Sequence, residues 1–295
     1  MAERLLPDGA SEGLIAPPPF PAKPDTAPGP APGPARTWLA HGRWLLPVAV
    51  LALAVLGWDL VVRLNALPPY ILPGPGLVVS TLIKDWAVLS GSLLVTLRIT
   101  ALALATAVIG GGVLALVFAA SRLVELSLFP IAVILQVTPV VAIAPLMLIY
   151  LEPGTAVLTC AFIVAFFPIL SNTALGLNSV DPNLQDLFAL SGASRWQSLI
   201  LLRLPAALPY FLGGLRIAGG LALIGAIVAE IAAGSAGQGS GLAFRVVESG
   251  YRLNIPRMFA ALLLISLTGI LIHTVLSLVS WLALRRWHDS AVTRQ

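Results

Sequence analysis

The sequence predicts an all-α integral membrane protein with six transmembrane helices and one long polar loop. Three observations carry this. Of 295 residues, 58% are hydrophobic and 10% charged, and mean hydropathy is +0.95, whereas a soluble domain carries about a quarter charged residues. Apolar runs reach the roughly 20 residues that a helix needs to cross a bilayer. They also lack the alternation of a membrane barrel. Cys160 is the single cysteine and lies in an apolar run, so no intrachain disulfide can form. No G-x-x-x-x-G-K-[ST] phosphate loop occurs, which excludes ATP hydrolysis by this chain alone.

Residues 1–37 hold ten of the 24 prolines and few apolar side chains. Such a segment cannot bury enough surface to offset its ordering entropy, so it reads as a disordered tail. A membrane domain follows over 38–285, and 286–295 form a second short tail. The first span falls near 44–62. After it, prolines and glycines break the chain at 67–76. Val78, Val79, Leu82, Ile83, Trp86 and Leu89 then recur at helical spacing, as in an amphipathic interfacial helix. Further spans fall near 91–119, 127–150, 155–176, 209–233 and 257–284.

Six spans place both termini on one side. With the termini inside, Arg4, Lys23, Arg36, Arg43, Arg122, Arg195, Arg203, Arg285, Arg286 and Arg294 are cytoplasmic. Arg63, Lys84, Arg245, Arg252 and Arg257 are outside, with Arg98 just within the outer face. The bias agrees with the positive-inside rule. The longest cytoplasmic connection is then 177–208.

That loop interrupts the apolar pattern with "ALSGASRWQSLILLRLPAALP". Upstream, Asp181-Pro182 is a helix start, since Asp caps orphan N–H groups and Pro is pre-organised at the first helical position. Ser191-Gly192 can end that helix, Gly supplying a left-handed residue. Ser194 with Gln197 forms an S-x-x-Q capping box for a second helix, which Pro205 should break or kink. Two short helices about a tight turn result. Leu187, Phe188, Trp196, Leu199 and Ile200 are available either to the chain's own bundle or to a docking protein.

The spacing Gly192, Leu202, Leu204, Pro205 resembles the G-x9-I-x-L-P core of the loop that permease subunits of bacterial ABC importers present to their ATPases. The surrounding "SVDPNLQDLFALSGASRWQSLILLRLPAALPYFLGGLRIAGGLALIGAIVAEI" is similar to the nitrate/sulfonate/taurine branch of binding-protein-dependent permeases. So are "ILPGPGLVV", "SLLVTLRIT", "VTPVVAIAPLMLIY" and "AFFPILSNTALGLNSVD". The match runs in order over about 44–285. It implies the type I ABC importer permease fold, with 177–208 as a cytoplasmic helix-turn-helix coupling loop. It also implies coupling residues at Asp186, Leu187, Phe188, Gly192, Ala193, Ser194, Arg195, Trp196, Leu204 and Pro205. The family's Glu-Ala-Ala triplet is here Asp186-Leu187-Phe188, which keeps the acid and replaces two small residues by large ones. "IYLEPGTA" stands where the family has Phe-Gly, placing Glu152 in an outer loop.

The resemblance implies partners as well. These are two copies of an ATP-binding subunit, an extracytoplasmic solute-binding protein, a second copy of this chain and the bilayer of a bacterial inner membrane; no nucleic acid is involved. The cargo would be a nitrate-, sulfonate- or taurine-like solute, or a pyrimidine-type precursor. No catalytic residue, metal site or directly bound cofactor is expected, with ATP and Mg2+ on the partner ATPase.

Arg98 and Glu230 sit near outer ends of spans, either snorkelling or ion-paired, or lining an exterior gate. Gln136, Thr138 and Asn172 either face a translocation cavity or hydrogen-bond between helices. Arg216 is expected to snorkel inward. Two other classes of function are open. An intramembrane hydrolase would use Ser194 and His273, which the expected loop and span positions separate. A secondary carrier would show an internal repeat, and none is visible.

Overall fold

The computed structural model describes residues 34–234 and 239–285, with side chains from Leu46 onward. The tails 1–33 and 286–295, with Arg4, Lys23, Arg286 and Arg294, lie outside the described residues. The chain divides into two compact units, 1–54 and 55–295, a different boundary from the tail-and-domain division at 37/38.

Among the described residues all regular structure is helical. The helices are α1 (Pro34–Leu64), α2 (Pro75–Lys84), α3 (Trp86–Ala120), α4 (Arg122–Val137), α5 (Val140–Tyr150), α6 (Pro153–Leu177), α7 (Pro182–Leu190), α8 (Arg195–Ser198), α9 (Leu204–Ala233), α10 (Leu242–Tyr251) and α11 (Ile255–Leu284). Five helical segments are long and apolar enough to cross a membrane; the α4–α5 pair makes a sixth span only if the two are taken together.

The expected span at 127–150 is not one rod. Its halves, α4 and α5, meet at 98°. The physical reason is Pro139, whose ring pushes Thr138 out of the helical region; Thr138 sits at ψ 121 and Pro139 at ψ 121. The Thr138 hydroxyl donates to the Ile134 carbonyl at 2.7 Å, beside the Thr138 N–H at 3.1 Å, so Thr138 closes the last turn of α4. Other boundaries move too. Helix begins at Pro34, before the expected tail ends. Trp86 and Leu89 belong to α3, because Asp85 separates them from the amphipathic α2.

Within the second unit, α6 is the central helix and packs against α3 and α9. Lipid is as apolar as leucine, so such contacts depend on close van der Waals approach and small residues. Along α6 the tightest approach is at Gly214, where a Cβ would lie 2.7 Å from the Pro168 carbonyl oxygen. Small and medium residues fill the seams, with Ala103, Cys160 and Ala226 in one cluster and Ala115, Leu170 and Ala207 in another. One end of this bundle carries α7 and α8. The other carries α2, α10 and the first turns of α3 and α11.

Candidate functional site

At the first end, local chemistry builds a helix-turn-helix knob. The Asp181 carboxylate accepts from the Asn183 N–H at 2.8 Å and Pro182 opens α7. The helix ends in a complete Schellman turn. Gly192 N–H donates to the Ala189 carbonyl and Ala193 N–H to the Phe188 carbonyl, both at 3.0 Å. Gly192 has φ +73°, a left-handed value that glycine adopts without cost. Both arms of the capping box are present, Gln197 N–H to Ser194 Oγ at 3.2 Å and Ser194 N–H to Gln197 Oε1 at 2.7 Å. Arg195 and Trp196 then open α8.

Pro205 acts differently from expectation. It does not break the helix: helical residues run on from Arg195 to Ala233. Residues Leu199–Arg203 form a π-turn, and Leu204 and Pro205 open α9 directly after it. A proline ring collides with the carbonyl four residues back and supplies no N–H, and a π-turn is the widening that absorbs both. The second helix of the knob therefore runs on into a membrane helix with no non-helical residue between them.

Leu187 is 57% exposed. Trp196, 72% exposed, lines a groove of about 740 Å³ with Asp186, Phe188 and Ala119, Ala120 and Arg122 of the α3–α4 junction. Arg203 Nη2 donates to Gln185 Oε1 at 3.4 Å, tying α7 to the π-turn.

At the opposite end the contacts are long-range. Glu230, 5% exposed, receives the Thr96 hydroxyl on Oε1 at 2.9 Å and the Ala243 N–H on Oε2 at 3.1 Å. Thr96 Oγ1 in turn accepts from the Leu242 N–H at 2.9 Å. A carboxylate from α9 and a hydroxyl from α3 thus share the first amides of α10, where the helix dipole favours negative charge. Gly241 is packed so closely that a Cβ would overlap the Glu230 carboxyl.

Two ion-pair groups surround this clamp. Arg245 donates to Ser92 Oγ at 2.9 Å and pairs with Glu248 at 2.7 Å; Arg252 also reaches Glu248, at 3.0 Å. Arg257 pairs with Asp85 at 2.6 Å. The hydrogen bond from Arg245, with the charges of Arg245, Arg252 and Arg257, holds the Glu248 carboxyl below its ordinary range despite partial burial.

Of the alternatives for Arg98 and Glu230, an ion pair between the two does not form. Arg98 is exposed, and Glu230 is occupied by Thr96 and α10. Asn172 lies in the α6–α9 seam against Gly214, its amide donating to the Pro168 carbonyl at 2.9 Å. Gln136 and Thr138 sit at the α4–α5 break, Gln136 exposed. The Arg216 Nε is buried and without a partner. Ser194 and His273 are not brought together: Ser194 caps α8, and the imidazole lies 3.5 Å from the Ser277 hydroxyl within α11. Sequence reasoning missed Thr96 and the whole of α10. The only available signal was a threonine on the same helix as Arg98.

A family model described as the binding-protein-dependent transport system inner membrane component matches residues 107–288. The chain belongs to this family. A probable ABC transporter permease protein of Haemophilus influenzae is 34% identical over 76% of this chain and 90% of that protein. The riboflavin transport system permease protein of Chloroflexus aurantiacus is 35% identical over 86% and 92%. A formylaminopyrimidine transport permease protein of Halalkalibacterium halodurans is 32% identical over 77% and 90%. A crystal structure of an amino acid ABC transporter with histidines matches at TM-score 0.56, 21% identity, covering 68% of this chain and 96% of that one.

The protein is thus a multi-pass membrane permease of the ABC importer class. Within this binding-protein-dependent permease, the matched region contains the knob, the α4–α5 break and the Glu230 clamp, but not Thr96.

Proposed function

We propose that this permease moves a small solute inward by alternating access, driven by a separate ATPase that docks on the α7–α8 knob. The observation that carries the reading is the unbroken helical run from Arg195 to Ala233. A knob fixed to a membrane helix transmits displacement, whereas a hinged loop would absorb it. In this reading the knob and both termini are cytoplasmic, and the α2–α10 end faces the soluble binding protein outside.

A second copy completes the pathway. On α9, Ile217 and Ile224 are exposed, and a Cβ at Gly213 or Gly220 would meet nothing within 4 Å. This open small-residue face suits another copy across a central axis. The α4–α5 break supports the same placement, since non-helical backbone at membrane depth is tolerated only where protein covers it or water reaches it. Gln136 and Thr138 then line the pathway. Two of the relatives carry a flavin or a formylaminopyrimidine by name, which favours a nitrogen heterocycle as cargo over a sulfonate or an inorganic anion.

Gly192→Pro tests the docking assignment. Proline cannot adopt φ +73° and removes the N–H that closes the turn. Loss of ATPase co-purification and of uptake is expected; wild-type association and uptake would overturn the assignment. The ligand retained by the cognate binding protein decides the cargo, and an anion with no heterocycle overturns that part alone.

A further inference from the structure

We infer that Glu230 and Thr96 are positioning residues that make α10 a rigid extension of α9, so that displacement of the knob is delivered to the opposite mouth of the bundle. This rests on the proposed docking role of the knob. The chain of contacts is continuous: Arg195 to Ala233 is helical, and Glu230 stands three residues before its end. Its two oxygens hold the Thr96 hydroxyl and the Ala243 amide, while Thr96 holds the Leu242 amide.

Each of these groups is buried, so releasing any one strands a polar atom away from water. Gly241 against the carboxyl leaves α10 no room to slide along α9. A side-chain hydrogen bond thus links α9 to α10 directly.

Thr96→Val is close in shape and removes the hydroxyl; Thr96→Ser retains it. In proteoliposomes holding the full complex with its ATPase and binding protein, Thr96→Val should assemble and hydrolyse ATP at the wild-type basal rate. Uptake per ATP should fall by at least about tenfold, since the hydroxyl's bond to the charged Glu230 and its bond from the Leu242 N–H are both lost, and Thr96→Ser should restore it. Adding Glu230→Ala to Thr96→Val should cause little further loss, because both act through one clamp.

Hydrogen exchange on the purified permease gives a readout independent of any ATPase. Thr96→Val should speed exchange at Leu242 and Ala243 and leave α7 and α8 unchanged. Wild-type uptake per ATP in Thr96→Val would overturn the inference. So would a parallel fall in assembly, basal hydrolysis and uptake, which marks a merely structural role. Failure of the knob assignment would appear separately, as intact ATPase association in Gly192→Pro.

Discussion

The two ends of the bundle are built on opposite principles. At the knob, the capping and turn contacts join residues at most five apart, Asp181 to Asn183, Ser194 to Gln197 and Ala193 to Phe188, and the tie from Arg203 to Gln185 spans only 18. At the clamp end, Thr96 to Glu230, Arg245 to Ser92 and Arg257 to Asp85 join partners 134, 153 and 172 positions apart. A knob made of local caps keeps its shape whatever its partner does. A clamp made of long-range side-chain contacts exists only while three or four helices stay in register. The first suits a docking element and the second a sensor of helix displacement.

Two glycines sharpen this contrast, and they give the largest expected effects. Gly241 is needed for space: a Cβ would enter the Glu230 carboxyl, so Gly241→Ala forces overpacking and should cost about 1–3 kcal/mol. Gly192 is needed for conformation: nothing lies within 4 Å of its Cβ position, yet φ is +73°, and Gly192→Ala should cost about 1–2 kcal/mol. Asn tolerates left-handed backbone better than Ala, so Gly192→Asn should recover part of that loss and Gly241→Asn none. Thermal unfolding in detergent measures all four. Recovery at both positions, or at neither, would erase the distinction between the ends.

The clamp end should also respond to acid. Glu248 has its carboxyl lowered by the Arg245 hydrogen bond and by neighbouring arginines. A depressed carboxylate adds stability above its unfolded value, and that stability is lost as pH falls through the lower folded value. Destabilisation should therefore begin as pH falls into the ordinary glutamate range, be complete below the lowered folded value, and be absent in Glu248→Gln. Equal acid slopes for wild type and Glu248→Gln would show that this ion-pair group does not tie α10 down.

The same contrast decides what could be read from the sequence. Asp181, Ser194, Gln197 and Gly192 were legible because capping and left-handed turns are decided within a few residues. Pro205 was legible as a break or a kink but not as a π-turn, which depends on how α9 leaves the membrane and has no local signature. Glu230 was conspicuous as an acid in a span, but its partner was not. Among many threonines, Thr96 becomes special only once α3, α9 and α10 are assembled. The α4–α5 break hid behind uniform apolarity, with Thr138-Pro139 its only trace.

The smallest effect belongs to Ser194→Ala, and it separates two classes of function. Its hydroxyl accepts one amide at 3.2 Å, and removing an N-cap side chain costs about 1 kcal/mol. That loss falls on a short helix that continues directly into α9, so the membrane helix limits how far α8 can fray. Uptake should fall by no more than a few fold, with ATPase association retained. A hydrolase using Ser194 would lose all activity on the same substitution, because a nucleophile has no substitute. The structure already separates Ser194 from His273, each occupied locally. Near-normal uptake in Ser194→Ala therefore assigns this serine to holding the knob's shape, and complete loss would return it to chemistry.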